Sequence, residues 1–83
     1  MNRKDYLKLE LMVFAITHDY FGYGSQCYKR KDGKWVSRVD GEKATYTSKQ
    51  LADEFDNLLL SDQKEIFDLY FETNFITNYK SLY

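Results

Sequence analysis

Two Asp-Gly dipeptides, Asp32-Gly33 and Asp40-Gly41, stand eight residues apart in mid-chain, each flanked by short runs rich in Val, Thr, Tyr and Trp. Asp-Gly suits the two-residue type I′ turn, in which both central residues need positive φ, so this pair predicts a three-stranded antiparallel meander between Gln26 and Tyr46. With two residues in each loop the register follows. Lys31 faces Lys34, Arg30 faces Trp35 and Tyr28 faces Ser37 across the first turn; Val39 faces Glu42, Arg38 faces Lys43 and Ser37 faces Ala44 across the second. One face then carries Tyr28, Trp35, Val39, Ala44 and Tyr46 and is expected to join the core, with Arg30 over Trp35 at its edge. The other carries Lys29, Lys31, Lys34, Arg38 and Lys43, together with Cys27, Val36 and Thr45.

Helical periodicity flanks this central segment. In residues 1–20 the apolar positions Leu7, Leu11, Phe14 and Leu9, Val13, Ile16, Tyr20 form two adjacent stripes, a wide core-facing arc. Gly22 and Gly24 break that period. After the strands, Thr47 or Ser48 can cap a helix, and Gln50 stands at the capping-box spacing from Thr47. Leu51, Phe55 and Leu58 or Leu59 recur at helical intervals. Ser61 or Asp62 can start a further helix, with Glu65 at the box position of Asp62 and an apolar face of Ile66, Phe67, Tyr70 and Phe71. The tail Phe75, Ile76, Tyr79, Leu82, Tyr83 keeps the helical period and is expected either to close the core or to meet a partner, including a second copy of the chain. The fold class read from this pattern is α+β: an N-terminal helix, the meander, and two or three C-terminal helices packed on one sheet face.

The 83 residues fit one domain, 1–83. A chain this short buries only about 60% of its unfolded surface, so it needs bulky core side chains. Eight Tyr, six Phe and one Trp supply them. Glu10 interrupts the first apolar run, no small-residue cleavage site follows it, and the longest uncharged stretch, Leu11 to His18, is far short of a membrane span; a cytoplasmic protein without membrane contact is expected.

Few residues suggest catalysis. His18 falls late in the first helix, where the helix dipole alone accounts for it, and Cys27 is the only cysteine, which excludes an internal disulfide and a cysteine-based zinc site. Gly22-x-Gly24 is neither preceded by a strand nor followed by a helix, as a phosphate fingerprint requires. The acidic residues lack the glycine-centred irregular loop of a calcium site. Neither a cofactor nor a metal is expected, and the chain reads as non-enzymatic.

Charge is distributed unevenly. Residues 1–46 hold nine Lys or Arg against six Asp or Glu, net +3, and residues 47–83 hold three against seven, net −4. Asp62, Glu65, Asp68 and Glu72 gather on one side of the last helix and form a candidate protein-binding face. Tyr20, Phe21 and Tyr23 form a second candidate, since exposed aromatics on a rigid scaffold suit interface anchors. The basic sheet face, Lys29, Lys31, Lys34, Arg38 and Lys43, is the alternative: a nucleic-acid surface that grips the backbone, with Tyr28 and Trp35 turned inward and unable to stack on bases.

The segments Thr47 to Phe55 and Ser61 to Tyr70 superficially resemble a helix-turn-helix. However, Asp62, Glu65 and Asp68 outnumber Gln63 and Lys64 on the would-be reading helix, and Asp56 to Leu60 contains no glycine, so DNA reading by these helices is not expected. In size and composition the proline-free, Tyr- and Lys-rich chain resembles accessory proteins of bacteriophages and mobile elements, some of which inhibit host enzymes or defence nucleases. That resemblance implies a host or cellular protein as partner. The acidic helical face would then act as a nucleic-acid mimic, occupying basic channels that normally hold phosphates.

Overall fold

The computed structural model describes residues 1–22, 24–39 and 41–81, with side chains described as far as residue 73. The elements run α1 (Arg3–Thr17), β1 (Gln26–Lys29), β2 (Trp35–Val39), β3 (Glu42–Tyr46), α2 (Ser48–Asp56) and α3 (Leu60–Ser81), an α+β arrangement with a three-stranded antiparallel sheet in the order β1-β2-β3. Asn2 caps α1 by accepting the Asp5 amide at 2.9 Å. The helix ends in a Schellman motif: Tyr20 N–H donates to the Ala15 carbonyl and Asp19 N–H to that of Ile16. Asp19 takes the left-handed position, φ 56°, that glycine usually fills. Its carboxylate accepts the amide of buried Ser25 at 2.7 Å, which anchors the return into β1.

The α2 cap is the expected capping box. Thr47 Oγ1 accepts the Gln50 amide and Gln50 Oε1 accepts the Thr47 amide, at 3.1 and 2.9 Å. The α3 start differs from expectation. The helix begins at Leu60, before Ser61 and Asp62, and Gln63 reaches back to donate to the Leu58 carbonyl at 2.9 Å. Asp62 and Glu65 are thereby released from any capping role. From Leu60 to Ser81, α3 is one continuous helix through the residues of the apolar tail; the side chains of Phe75, Ile76 and Tyr79, and Leu82 and Tyr83 altogether, lie outside the described residues.

The core is chiefly interhelical: Leu9, Leu11, Met12, Ala15 and Ile16 of α1, Leu51, Ala52 and Phe55 of α2, and Ile66 of α3. Ala15 and Ala52 are fully buried and keep the helix backbones close. Cys27, Trp35, Val39 and Tyr46 pack onto this cluster from one sheet face, and Trp35 Nε1 donates to Ser48 Oγ at 3.0 Å, which ties β2 to the first turn of α2.

The second hairpin has the expected register, Val39 with Glu42, Arg38 with Lys43 and Ser37 with Ala44. The first is shifted by one residue: Lys29 pairs with Trp35, Tyr28 with Val36 and Cys27 with Ser37. Arg30 and Lys34 close a three-residue loop in which Arg30 N–H donates to the Lys34 carbonyl at 2.7 Å and Gly33 N–H to the Arg30 carbonyl at 3.0 Å. With Gly33 at φ 87°, this is a type I turn followed by a left-handed glycine, the three-residue alternative to the I′ turn. A slip of one residue inverts every side chain of β1. Cys27 therefore joins the core face in place of Tyr28, and Tyr28 stands on the outer face, about half exposed.

Candidate functional site

The inverted strand changes the composition of the outer sheet face. By strand alternation Gln26, Tyr28 and Arg30 share that face with Lys34, Val36 and Arg38 of the central strand and with Lys43 and Thr45 of β3. Arg30, expected over Trp35, instead lies outside and pairs with Asp32 at 3.1 Å. Lys29, expected among the outer lysines, lies on the core side with its ammonium 5.8 Å from the centre of the Trp35 ring, a cation–π distance. Lys31 sits in the loop. Of the five residues of the expected basic surface, Lys34, Arg38 and Lys43 remain on the outer face; Arg30 joins them and Lys29 leaves.

Tyr28 stands among these cations. It pairs with Val36, which is buried on this side of the sheet and is not part of the interhelical core. Tyr28 and Thr45 flank Val36 across the two ladders, giving the centre of the face a small apolar floor. Among the described residues no carboxylate lies within ion-pair distance of Lys34, Arg38 or Lys43. The face thus offers one aromatic ring and three to four uncommitted or weakly committed cations, and Asp32, tethered to Arg30, stands at its edge.

The acidic side of α3 has a different character. The Tyr20 hydroxyl donates to Asp62 at 3.0 Å and to Glu65 at 3.2 Å, and burial followed by these two carboxylates pushes its pKa up to about 12. Asp68 pairs with Lys64 at 3.0 Å, one helical turn earlier. Glu72 is exposed. A shallow groove of about 340 Å³ runs along Ser61, Lys64, Glu65, Asp68, Leu69 and Glu72. Of the aromatic loop, Tyr20 and Phe21 pack against the core with their rings 5.3 Å apart, edge to face, and Tyr23 lies outside the described residues.

Two further groups bear on chemistry. Burial pushes the Cys27 thiol up to about 11, so at neutral pH it is a protonated, inert side chain beside the core. His18 Nδ1 lies 3.0 Å from the Phe14 carbonyl oxygen and 3.3 Å from Thr17 Oγ1, and its ring stacks on Phe14 with centroids 4.2 Å apart. An apolar cleft of about 270 Å³ between α1, Trp35 and Tyr70 has Glu10 as its one charged wall, and Glu10 already accepts the Tyr70 hydroxyl. Among the described residues no helix is long and apolar enough to cross a membrane, and no group of three or more His, Cys, Asp or Glu is arranged to hold a metal ion. No known protein family, curated protein or solved structure matches this chain.

The exposed tyrosine escaped sequence reasoning because the local signal was ambiguous. Asp-Gly serves the two-residue I′ loop and equally the last two positions of the three-residue loop, and only the second puts Tyr28 outside.

Proposed function

We propose that this protein is a non-enzymatic binding module that holds single-stranded nucleic acid on the outer face of its sheet. The observation that carries the reading is the half-exposed Tyr28, paired with Val36 on a sheet face that also carries Arg30, Lys34, Arg38 and Lys43. Cations on a flat surface attract phosphates irrespective of sequence. An aromatic ring between them supplies a platform for an unstacked base, which a duplex does not offer. The inert Cys27 and the locally bonded His18 fit a role without covalent chemistry.

The net charge of −1 limits the grip to local contacts. With three to four cations engaged, the logarithm of affinity for a single strand should fall against the logarithm of salt concentration with a slope of about −2 to −3. Fluorescence anisotropy with labelled single-stranded and duplex oligonucleotides over a salt series tests this. Preference for the single strand and loss of binding in the Lys34→Glu, Arg38→Glu, Lys43→Glu triple variant, with melting unchanged, are the expected results. Absence of binding at low salt refutes the reading.

A second reading places a protein partner, such as a host enzyme or nuclease, on the acidic side of α3. The groove along Glu65, Asp68, Leu69 and Glu72 favours it, because an apolar side chain set among carboxylates suits a basic partner surface. Against it, Asp62, Glu65 and Asp68 already bind groups of their own domain, and a partner would have to compete with Tyr20 and Lys64.

A further inference from the structure

Among the described side chains, the apolar residues of helix α3 cover an arc of about 200°, whereas a helix lying on a domain surface normally confines them to a narrower stripe. Its domain-facing side is satisfied by Ile66, fully buried, and by Tyr70, which meets Phe14 edge to face. Phe67 lies about 100° further round the helix than Ile66, and Leu60, Phe67 and Phe71 fall within an arc of about 40°. They form an outward ridge, with relative exposures of 82% for Leu60, 42% for Phe67 and 47% for Phe71. The two Phe rings already pack together with centroids 4.5 Å apart, so the ridge is pre-formed and loses little side-chain freedom on being covered. The helix spans roughly 33 Å, enough for an extended seam.

We infer that this ridge is the interface of a homodimer in which two copies of α3 pack antiparallel about a two-fold axis. The charges beside the ridge select this occupant. Lys64 sits in the ridge line between Leu60 and Phe67, and Asp68 lies next to it on the same side, one turn on. In an antiparallel pair centred near Ile66, Lys64 of each copy meets Asp68 of the other, so one patch is complementary to itself and the ion pair forms twice. A parallel pair would carry the Lys64 and Asp68 side of each copy to opposite edges of the seam, where neither ion pair could form across it. Both side chains are well exposed, 80% and 59%, and can exchange the intramolecular partner for the intermolecular one. A second copy also covers Leu60, Phe67 and Phe71 with the same apolar surface that each presents.

Sedimentation equilibrium of the full chain over a concentration series tests the inference, with circular dichroism melting as the control for folding. The wild type is expected to dimerise, and the Phe67→Glu, Phe71→Glu double variant to be monomeric with its helix content preserved. Lys64→Asp and Asp68→Lys alter only exposed charges; each alone places like charges at both symmetric contacts and should weaken the dimer roughly ten- to thirtyfold. An equimolar mixture of these two single variants should recover association, because each then meets its opposite. A monomeric wild type at the highest attainable concentration overturns the inference and leaves the ridge to a different protein or to a lipid surface. A dimer indifferent to both the Phe and the charge variants overturns it equally, by placing the interface elsewhere.

Discussion

The outer sheet face and the acidic side of α3 are both rows of like charge, yet one is open and the other occupied. On the sheet, Lys34, Arg38 and Lys43 share the face of Tyr28, with no carboxylate among the described residues within ion-pair reach of them. On α3, Asp62 and Glu65 share the Tyr20 hydroxyl and Asp68 holds Lys64. The difference is that between charge with no partner among the described residues and charge bonded within its own domain. A charged stripe in a sequence does not distinguish the two, because the deciding partners come from elsewhere in the chain, Tyr20 lying more than forty residues from the carboxylates it bridges.

The contrast depends on the slipped register of β1, and Cys27 reports on it directly. With its pKa raised from 9.0 to about 11, thiolate at pH 8 should be about a hundredfold scarcer than for a free cysteine, and alkylation slower in proportion. Mass-spectrometric labelling kinetics in native buffer check this. A rate matching that of the unfolded chain would put Cys27 on the outer face and Tyr28 in the core, and the binding surface proposed above would lose its aromatic centre. Tyr28 gives the next largest effect. Stacking of one base on an aromatic ring contributes about 1–3 kcal/mol, so Tyr28→Ala should weaken single-strand binding roughly ten- to hundredfold, with little change in melting temperature. Equal loss toward duplex would turn the face into a plain phosphate grip.

Tyr20 tests the occupied side. Tyr20→Phe removes a hydroxyl that donates to two carboxylates in a partly buried setting, and a loss of about 1–2 kcal/mol, read from urea unfolding, is expected. The pH dependence has a definite sign. The hydroxyl must stay protonated to donate, and folding raises its pKa from 10.0 to about 12. Its stabilisation is therefore complete below pH 10 and is lost as pH rises from 10 through 12, so the gap between wild type and Tyr20→Phe should close over that window. A gap that persists unchanged above it would mean that the hydroxyl is not what joins the loop to α3.

What could be read in the sequence follows the range of the forces involved. The capping box of Thr47 and Gln50, the order of elements and the second hairpin depend on residues within a few positions of one another, and each was legible. The first hairpin has the same dipeptide, yet its register differs by one residue from the one a two-residue turn predicts. Its register puts the small Cys27 against the helices and the large Tyr28 outside, and that packing is not encoded in the turn. Tyr20 ends the core-facing stripe of the first helix and also counts among the loop aromatics, because it follows that helix and precedes glycines, and the local pattern does not choose between the two. The left-handed Asp19 at the end of α1 reverses the chain, and Tyr20 packs on the core with its hydroxyl at α3. The basic surface was visible as composition, and its membership was corrected by the same slip, Lys29 leaving for Trp35 and Arg30 entering.

The smallest effect belongs to the end of the acidic stripe. Asp68 and Glu72 stand one turn apart and repel, which costs a few tenths of a kcal/mol, while the Lys64 to Asp68 pair returns a similar amount. The double change Asp68→Asn, Glu72→Gln removes both terms, so at concentrations where the protein is monomeric its stability should stay within about 0.5 kcal/mol of the wild type, with no shift in melting beyond a few degrees. It also raises the net charge from −1 to +1, by two neutralised carboxylates. Oligonucleotide binding on the sheet should therefore tighten slightly at low salt and not at high salt, since the carboxylates act on that face only through the long-range field. If the same double variant instead released a protein captured by the wild type, with melting unchanged, the free end of the stripe would itself be a docking surface. The distinction between an open sheet and an occupied helix would then hold only for Asp62 and Glu65, whose bonds to Tyr20 this variant leaves in place.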